Sequence, residues 1–197
     1  MINHKHKFIF IHIPKTGGLT ITRQFQKKII HKTALEQRKL SPEIWDEYYK
    51  FAFVRSPWSY LVSRYFFARL KHRKGKRGYR TAVDMKFDRW VRWFIDIKKD
   101  DLDGYEPKYY RPLIEWVTDK KGNVIVDYVG RTEGFHKHWM KVCKDIGLKA
   151  SRLPRKNTTS HRHYSTYYTD DLRDAVADYF APDLKAFKYK FTDKRQG

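Results

Sequence analysis

Residues 8–20 read Phe-Ile-Phe-Ile-His-Ile-Pro-Lys-Thr-Gly-Gly-Leu-Thr, and the fold turns on this stretch. Its first half, Phe8 to Ile13, is a near-continuous apolar run of the kind that fills a strand buried on both faces. Pro14 and the pair Gly17-Gly18 then punctuate the chain. Beyond them Ile21, Phe25 and Ile29 recur every fourth residue, which lines up one face of a helix. A strand that passes through a glycine turn into a helix aims backbone N–H groups and the positive helix end at one spot. Gly17, Gly18 and the N–H of Leu19 let the backbone come close to an anion there. Lys15 can reach the bound group, and Thr16 and Thr20 can add hydroxyl donors. The nucleotide-kinase loop has a different order, with both glycines ahead of the lysine and a hydroxyl placed to hold magnesium. Here Lys15 comes first, so a magnesium triphosphate is a poorer match. Taken alone, Lys-Thr-Gly-Gly suits an ordinary βα turn with a solvent-exposed lysine equally well.

The next strand supplies a second motif. Phe51 to Val54 reads as strand, and Ser56-Pro57 as a helix start with serine capping and proline in the first helical position. That helix runs through Leu61 and Tyr65 towards Leu70. Arg55 sits at the junction, with Ser63 eight residues on. If the two strands are neighbours, Arg55 emerges at the same carboxyl edge as Lys15, the edge where open α/β sheets bind ligands. Its planar donor fork suits a phosphate, and Ser63 can add another donor. A nucleotide with phosphate groups at two separate ribose positions would satisfy both sites.

Further along, a helix is expected over about 84–97, with Phe87, Trp90, Val91, Phe94 and Ile95 as its apolar stripe. Ile114 to Asp119 and Val124 to Val129 read as two strands around a Lys-Lys-Gly-Asn turn. Helices are expected at about 132–147 and 169–180. Residues 71–80, KHRKGKRGYR, read as a basic surface loop, and 103–112 as irregular. Strands alternating with helices predict an α/β fold: a single P-loop-like domain over 1–197 with a mainly parallel central sheet flanked by helices. At 197 residues one domain with a sizeable core is expected.

Composition excludes a disordered chain, with 41% hydrophobic and 17% aromatic residues. The 43 lysines and arginines against 22 acidic residues, net +21, imply an anionic partner without choosing between nucleic acid, phosphorylated cofactor, acidic polymer and membrane surface. The single cysteine, Cys143, excludes an internal disulfide and reads as a small buried hydrophobe. No apolar run reaches the roughly 20 residues of a membrane span. With no secretory signal recognised, the expectation is a cytoplasmic protein.

These segments carry a resemblance. IHIPKTGG (11–18) resembles the 5′-phosphosulfate loop of sulfotransferases that use 3′-phosphoadenosine 5′-phosphosulfate (PAPS), and FAFVRSPWSYLVSRYF (51–66) their 3′-phosphate motif. The similarity continues in order through VDYVGRTEGF (126–135), KVCKDIGL (141–148), LPRKN (153–157) and the segment 167–191. Within the family the chain looks most like the bacterial relatives of heparan sulfate 2-O- and 6-O-sulfotransferases. The resemblance implies transfer of a sulfuryl group from PAPS to an acceptor hydroxyl, without a metal, leaving 3′-phosphoadenosine 5′-phosphate. It implies that Lys15 neutralises the bridging oxygen, that residues 15–20 hold the 5′-phosphate, and that Arg55 and Ser63 hold the 3′-phosphate. A carbohydrate acceptor, an anionic or neutral glycan, is implied rather than a specific nucleic acid. Two departures stand out. Leu19 replaces the usual threonine or serine, and Ser56 and Ser59-Tyr60 stand where relatives often show asparagine and an acidic–arginine pair.

The acceptor hydroxyl must lose a proton, so a base is required. His31, expected at the end of the helix leaving the loop, matches a histidine of the carbohydrate-directed relatives; it also reads as a surface histidine among Lys27, Lys28 and Lys32. His12 reads as a packed or edge histidine. His161 and His163 read as solvated rather than metal-binding, and the resemblance implies that the loop 153–163, with Asn157, closes over the nucleotide. Arg131 and Glu133 either border the pocket or pair with each other. The basic run 71–80 either grips an acidic polysaccharide or is a solvated loop, and Trp90 and Phe94 read as core rather than sugar platforms. Three alternatives remain: a basic nucleic-acid-binding protein, a magnesium-dependent P-loop phosphotransferase, and a catalytically inactive nucleotide-binding member of the family.

Overall fold

A computed structural model of the chain describes residues 1–73, 81–97, 107–149 and 161–195. Residues 74–80 of the basic run expected as a loop at 71–80, and most of the 153–163 loop, Asn157 included, lie outside the described residues, while 71–73 are helical. In chain order the first elements are β1 (Ile2–Asn3), β2 (Phe8–Ile11), α1 (Gly18–Gln24), α2 (Ala34–Leu40), α3 (Pro42–Trp45) and β3 (Tyr49–Val54). Then come α4 (Pro57–Arg73), α5 (Thr81–Asp84), α6 (Phe87–Asp96), β4 (Tyr128–Arg131), α7 (Phe135–Asp145), α8 (Asp170–Tyr179) and α9 (Ala181–Phe187). The chain divides into two compact units, one of residues 1–55 and 113–157, the other of 56–112 and 158–197.

The first unit holds a four-stranded sheet in the order β1-β2-β3-β4. β2, β3 and β4 are parallel, and β1 pairs antiparallel with β2. Sequence alternation sets its faces. Phe8 and Phe10 of β2 share a face with Phe51 and Phe53 of β3, and the Phe10 and Phe51 rings stack at 5.0 Å. Ile21 of α1 and Trp139, Val142 and Cys143 of α7 close over them. Cys143 is thus a core residue, and burial pushes its thiol up from the ordinary value. Ile9, Ile11, Ala52 and Val54, on the opposite face, are buried too, as expected of strands covered on both sides. At the start of β3, the half-shielded pair Lys50–Asp127 (3.1 Å) and the Lys50 bond to the Trp45 carbonyl (3.0 Å) tie the strand to α3 and to the residue before β4.

The second unit is helical among the described residues. α4 and α6 bury Trp58, Leu61, Tyr65, Phe87, Trp90, Val91 and Phe94, and α8 adds Leu172 and Val176. Trp58 Nε1 donates to the Arg173 carbonyl (3.0 Å), and the Tyr168 hydroxyl donates to the Trp58 carbonyl (2.9 Å). The stripe read as core, Trp90 and Phe94, is core; Trp93 is half-buried against Tyr110 at 5.7 Å. His163 caps the short 3-10 helix at Tyr164–Tyr167, its ring accepting from the Ser165 N–H.

Several boundaries differ from expectation, each for a local reason. β2 stops at Ile11, although His12 and Ile13 remain buried. α1 stops at Gln24, so Ile29 is 48% exposed and off the helix. The cause is a Schellman closure: Lys27 N–H bonds to Thr22 O (2.9 Å), Gln26 N–H to Arg23 O (3.1 Å), and Gln26 takes φ 52°. The expected strand at 114–119 is a 3-10 turn, Leu113–Trp116, whose Leu113 and Trp116 point into the core. One bridge, Thr118 to Val124, survives of the expected hairpin around the Asp119 turn. The helix expected over 84–97 breaks between Asp84 and Phe87. No helix among the described residues is long and apolar enough to cross a membrane.

Candidate functional site

The three parallel strands of the first unit deliver their carboxyl ends to one edge. β2 leads to Lys15, β3 to Arg55, and β4 ends on Arg131, which pairs in register with Val54. Lys15 takes φ 65° in the turn, and the guanidinium of Arg55 reaches its carbonyl oxygen at 3.4 Å. A lysine in the left-handed region costs about 1–2 kcal/mol, so the surrounding structure imposes this turn. The two cations predicted to share an edge therefore do so.

The loop is built from inside. The Thr16 side chain is buried, and its hydroxyl donates to the Ile13 carbonyl at 2.8 Å. Its one hydroxyl proton is thereby used in closing the turn, unlike the donor role expected of it. Gly17 caps α1 at φ 80°, and a Cβ there would lie 3.1 Å from the Phe135 ring. Gly18 has a different requirement: a Cβ would lie 2.3 Å from His12 Cδ2 and 2.8 Å from Phe10 Cζ. The glycines expected to admit an anion are thus also demanded by packing from beneath. α1 has neither a side-chain cap nor an acidic residue in its first turn. Leu19 and Thr20 are half-buried in that turn, and the Thr20 N–H bonds to Gly17 O at 3.1 Å.

His31 lies in the irregular stretch before α2 rather than at a helix end, because α1 has closed at Gln24. It nevertheless returns to the strand end. Its Nδ1 is 2.9 Å from the His12 carbonyl oxygen, and its ring centroid is 4.7 Å from that of His12. A carbonyl only accepts, so Nδ1 carries a proton, and in the neutral form of the ring the lone pair lies on Nε2. His12 itself is 5% exposed and stacked on Phe10 at 5.4 Å. Burial, then the nearby His31 and the Met1 amino group, push it down to about 3, so it is neutral at neutral pH.

Ser63 belongs to the second unit, on α4, where it is 3% exposed. Arg131 and Glu133 flank the turn from β4 into α7. Phe135, which backs Gly17 and packs on Phe53 at 4.6 Å, was not singled out from the sequence. The only local signal was an aromatic directly after Gly134. Gly130 is likewise forced, since a Cβ there would lie 2.8 Å from Phe53 Cε1. Among the described residues no group of three or more His, Cys, Asp or Glu side chains could hold a metal ion.

The family model of the sulfotransferase family matches residues 1–190. A relative from Archaeoglobus fulgidus, itself an uncharacterized protein, is 27% identical over 128 residues, covering 65% of this chain and 92% of that one. No solved structure matches the chain.

Proposed function

This chain belongs to the sulfotransferase family, and from that premise we propose that it transfers a sulfuryl group from PAPS to a carbohydrate hydroxyl. The reading takes 1–197 as one P-loop-like sulfotransferase domain acting in the cytoplasm. The observation that carries it is the left-handed Lys15 turn closed by Arg55 at the carboxyl edge of the parallel strands. The residues present fit a multiply charged anion: the Arg55 guanidinium lies against the Lys15 carbonyl in the turn, and the first turn of α1 holds no acidic side chain to repel one.

The donor supplies a sulfuryl group already activated on a phosphate oxygen. Lys15 offsets the negative charge that develops on that oxygen as its bond to sulfur breaks. The backbone of 16–20 and the Thr20 hydroxyl hold the 5′-phosphate. Leu19 contributes its N–H alone, and Thr16, with its hydroxyl committed to Ile13, does the same. Arg55 and Ser63 hold the 3′-phosphate and so fix the donor's register against Lys15. His31 accepts the acceptor's hydroxyl proton on Nε2 as the new oxygen–sulfur bond forms. The likeness to bacterial relatives of the heparan sulfate enzymes favours a glycan acceptor, and the net charge of +21 favours an acidic one.

Calorimetric titration with 3′-phosphoadenosine 5′-phosphate without magnesium, beside ATP with magnesium, tests the reading. Saturable one-to-one binding of the bisphosphate and little of ATP supports it. Tight magnesium-dependent ATP binding, or salt-sensitive binding of any nucleic acid with no affinity for the bisphosphate, overturns it.

A further inference from the structure

Among the described residues one buried side chain touches both halves of the proposed chemistry. His12 lies under the loop, with its ring edge where a Gly18 Cβ would be, and beside His31, whose ring it faces and whose Nδ1–H its carbonyl accepts. Its Nδ1 is buried and has no hydrogen-bond partner among the described residues. An orphaned buried polar atom costs about 1–3 kcal/mol, which an apolar side chain of similar bulk would not incur. The fold therefore keeps an imidazole where packing alone does not require one.

We propose that His12 is a positioning residue: its ring, wedged between Gly18 and His31, holds the His31 imidazole with Nδ1–H towards the strand and the Nε2 lone pair towards the acceptor. This rests on the reading of His31 as the base. The geometry divides the work. The backbone carbonyl at position 12 selects the His31 tautomer, whereas the ring supplies the wall that keeps His31 from swinging off that carbonyl. Phe10 backs the wall by stacking. The groups whose charge acts on His12 are His31, from the stretch before α2, and the Met1 amino group, which donates to the Phe10 carbonyl at 2.7 Å; from α1, Gly18 lies against the ring. A neutral His12 places no charge against His31, so His31 can take up a proton without meeting another cation in that direction.

Nitrogen chemical shifts of the histidine rings test this without an acceptor. In the unaltered protein at neutral pH, His31 should show a protonated Nδ1 and an unprotonated Nε2. His12→Leu keeps the bulk and the backbone carbonyl but removes the ring, and should average the His31 shifts towards a mixture of tautomers. Gly18→Ala, which drives a methyl into the same ring from the other side, should disturb His31 likewise. Affinity for 3′-phosphoadenosine 5′-phosphate, within about threefold of the unaltered protein in His12→Leu, would show that the variant remains folded. A single Nδ1–H tautomer that persists in His12→Leu, or an Nε2–H tautomer in the unaltered protein, overturns the proposal. Loss of bisphosphate binding already in the unaltered protein overturns the functional reading instead, and the two failures are read from different signals.

Discussion

Lys15 and Arg55 meet through one carbonyl, yet the chemistry asks different things of them. In the proposed transfer, charge that appears only as the sulfur–oxygen bond breaks is the concern of Lys15. Lys15→Ala should therefore lower turnover by about 10²–10³-fold while leaving much of the nucleotide affinity. On the same proposal Arg55 meets a charge that is present throughout, so Arg55→Ala should cost about 1.5–3 kcal/mol of nucleotide binding, roughly a 10- to 150-fold rise in Kd by calorimetry. Equal loss of affinity in both variants would contradict this division. His12 adds a pH effect of definite sign. The unfolded ring takes a proton near its ordinary 6.5, the folded ring only near 3. Between those values the unfolded chain binds more protons, so the stability held by the neutral ring is lost progressively as pH falls from about 6.5 towards 3. Denaturant titrations across that range should show a slope that His12→Leu reduces; an unchanged slope would assign it to other groups.

At the scale of elements, two helix ends show what is legible. α7 closes with Gly147 at φ 62° and with Leu148 N–H bonded to Cys143 O (2.8 Å), and a glycine beyond a helical stretch announces that ending. α1 closes by the same pattern of bonds but with Gln26 in the left-handed position. Nothing in a glutamine marks a stop, so the periodicity of Ile21, Phe25 and Ile29 carried the expected helix too far. Gln26→Gly should relieve the backbone and stabilise the protein by about 0.5–1 kcal/mol, read as a higher denaturation midpoint with unchanged slope. α2 was also missed, although its signature was present: Thr33 and Glu36 form a capping box, with Glu36 N–H to Thr33 Oγ1 at 3.1 Å and the Glu36 side chain returning to the Thr33 N–H at 2.7 Å. Thr33→Ala should lower stability by about 1 kcal/mol in the same titration. The supposed strand at 114–119 failed for another reason. An apolar run of that length suits a strand or a buried turn alike, and the burial of Leu113 and Trp116 decides between them only in three dimensions.

For the molecule as a whole, a net charge of +21 is a standing repulsion. Local pairs such as Arg173–Asp170 (2.9 Å) and Lys141–Asp145 (2.8 Å) lie at least partly in solvent and offset little of it. Raising sodium chloride from about 10 mM to 150 mM shortens the screening length to roughly 8 Å, so the thermal midpoint should rise. A midpoint that falls with salt would mean that the local pairs outweigh the global repulsion. By itself the sequence determined the alternation of strand and helix, the loop at 15–20, Arg55 at the next strand end and the likeness to sulfotransferases. Each of these is written in short-range patterning and turn chemistry, which neighbours along the chain suffice to specify. Only the tertiary structure decided that Gly18 is demanded by the His12 ring, that Thr16 closes its own turn, and that His31 returns to the end of β2. Those depend on which distant side chains share a space, and burial and contact between them have no local pattern to read.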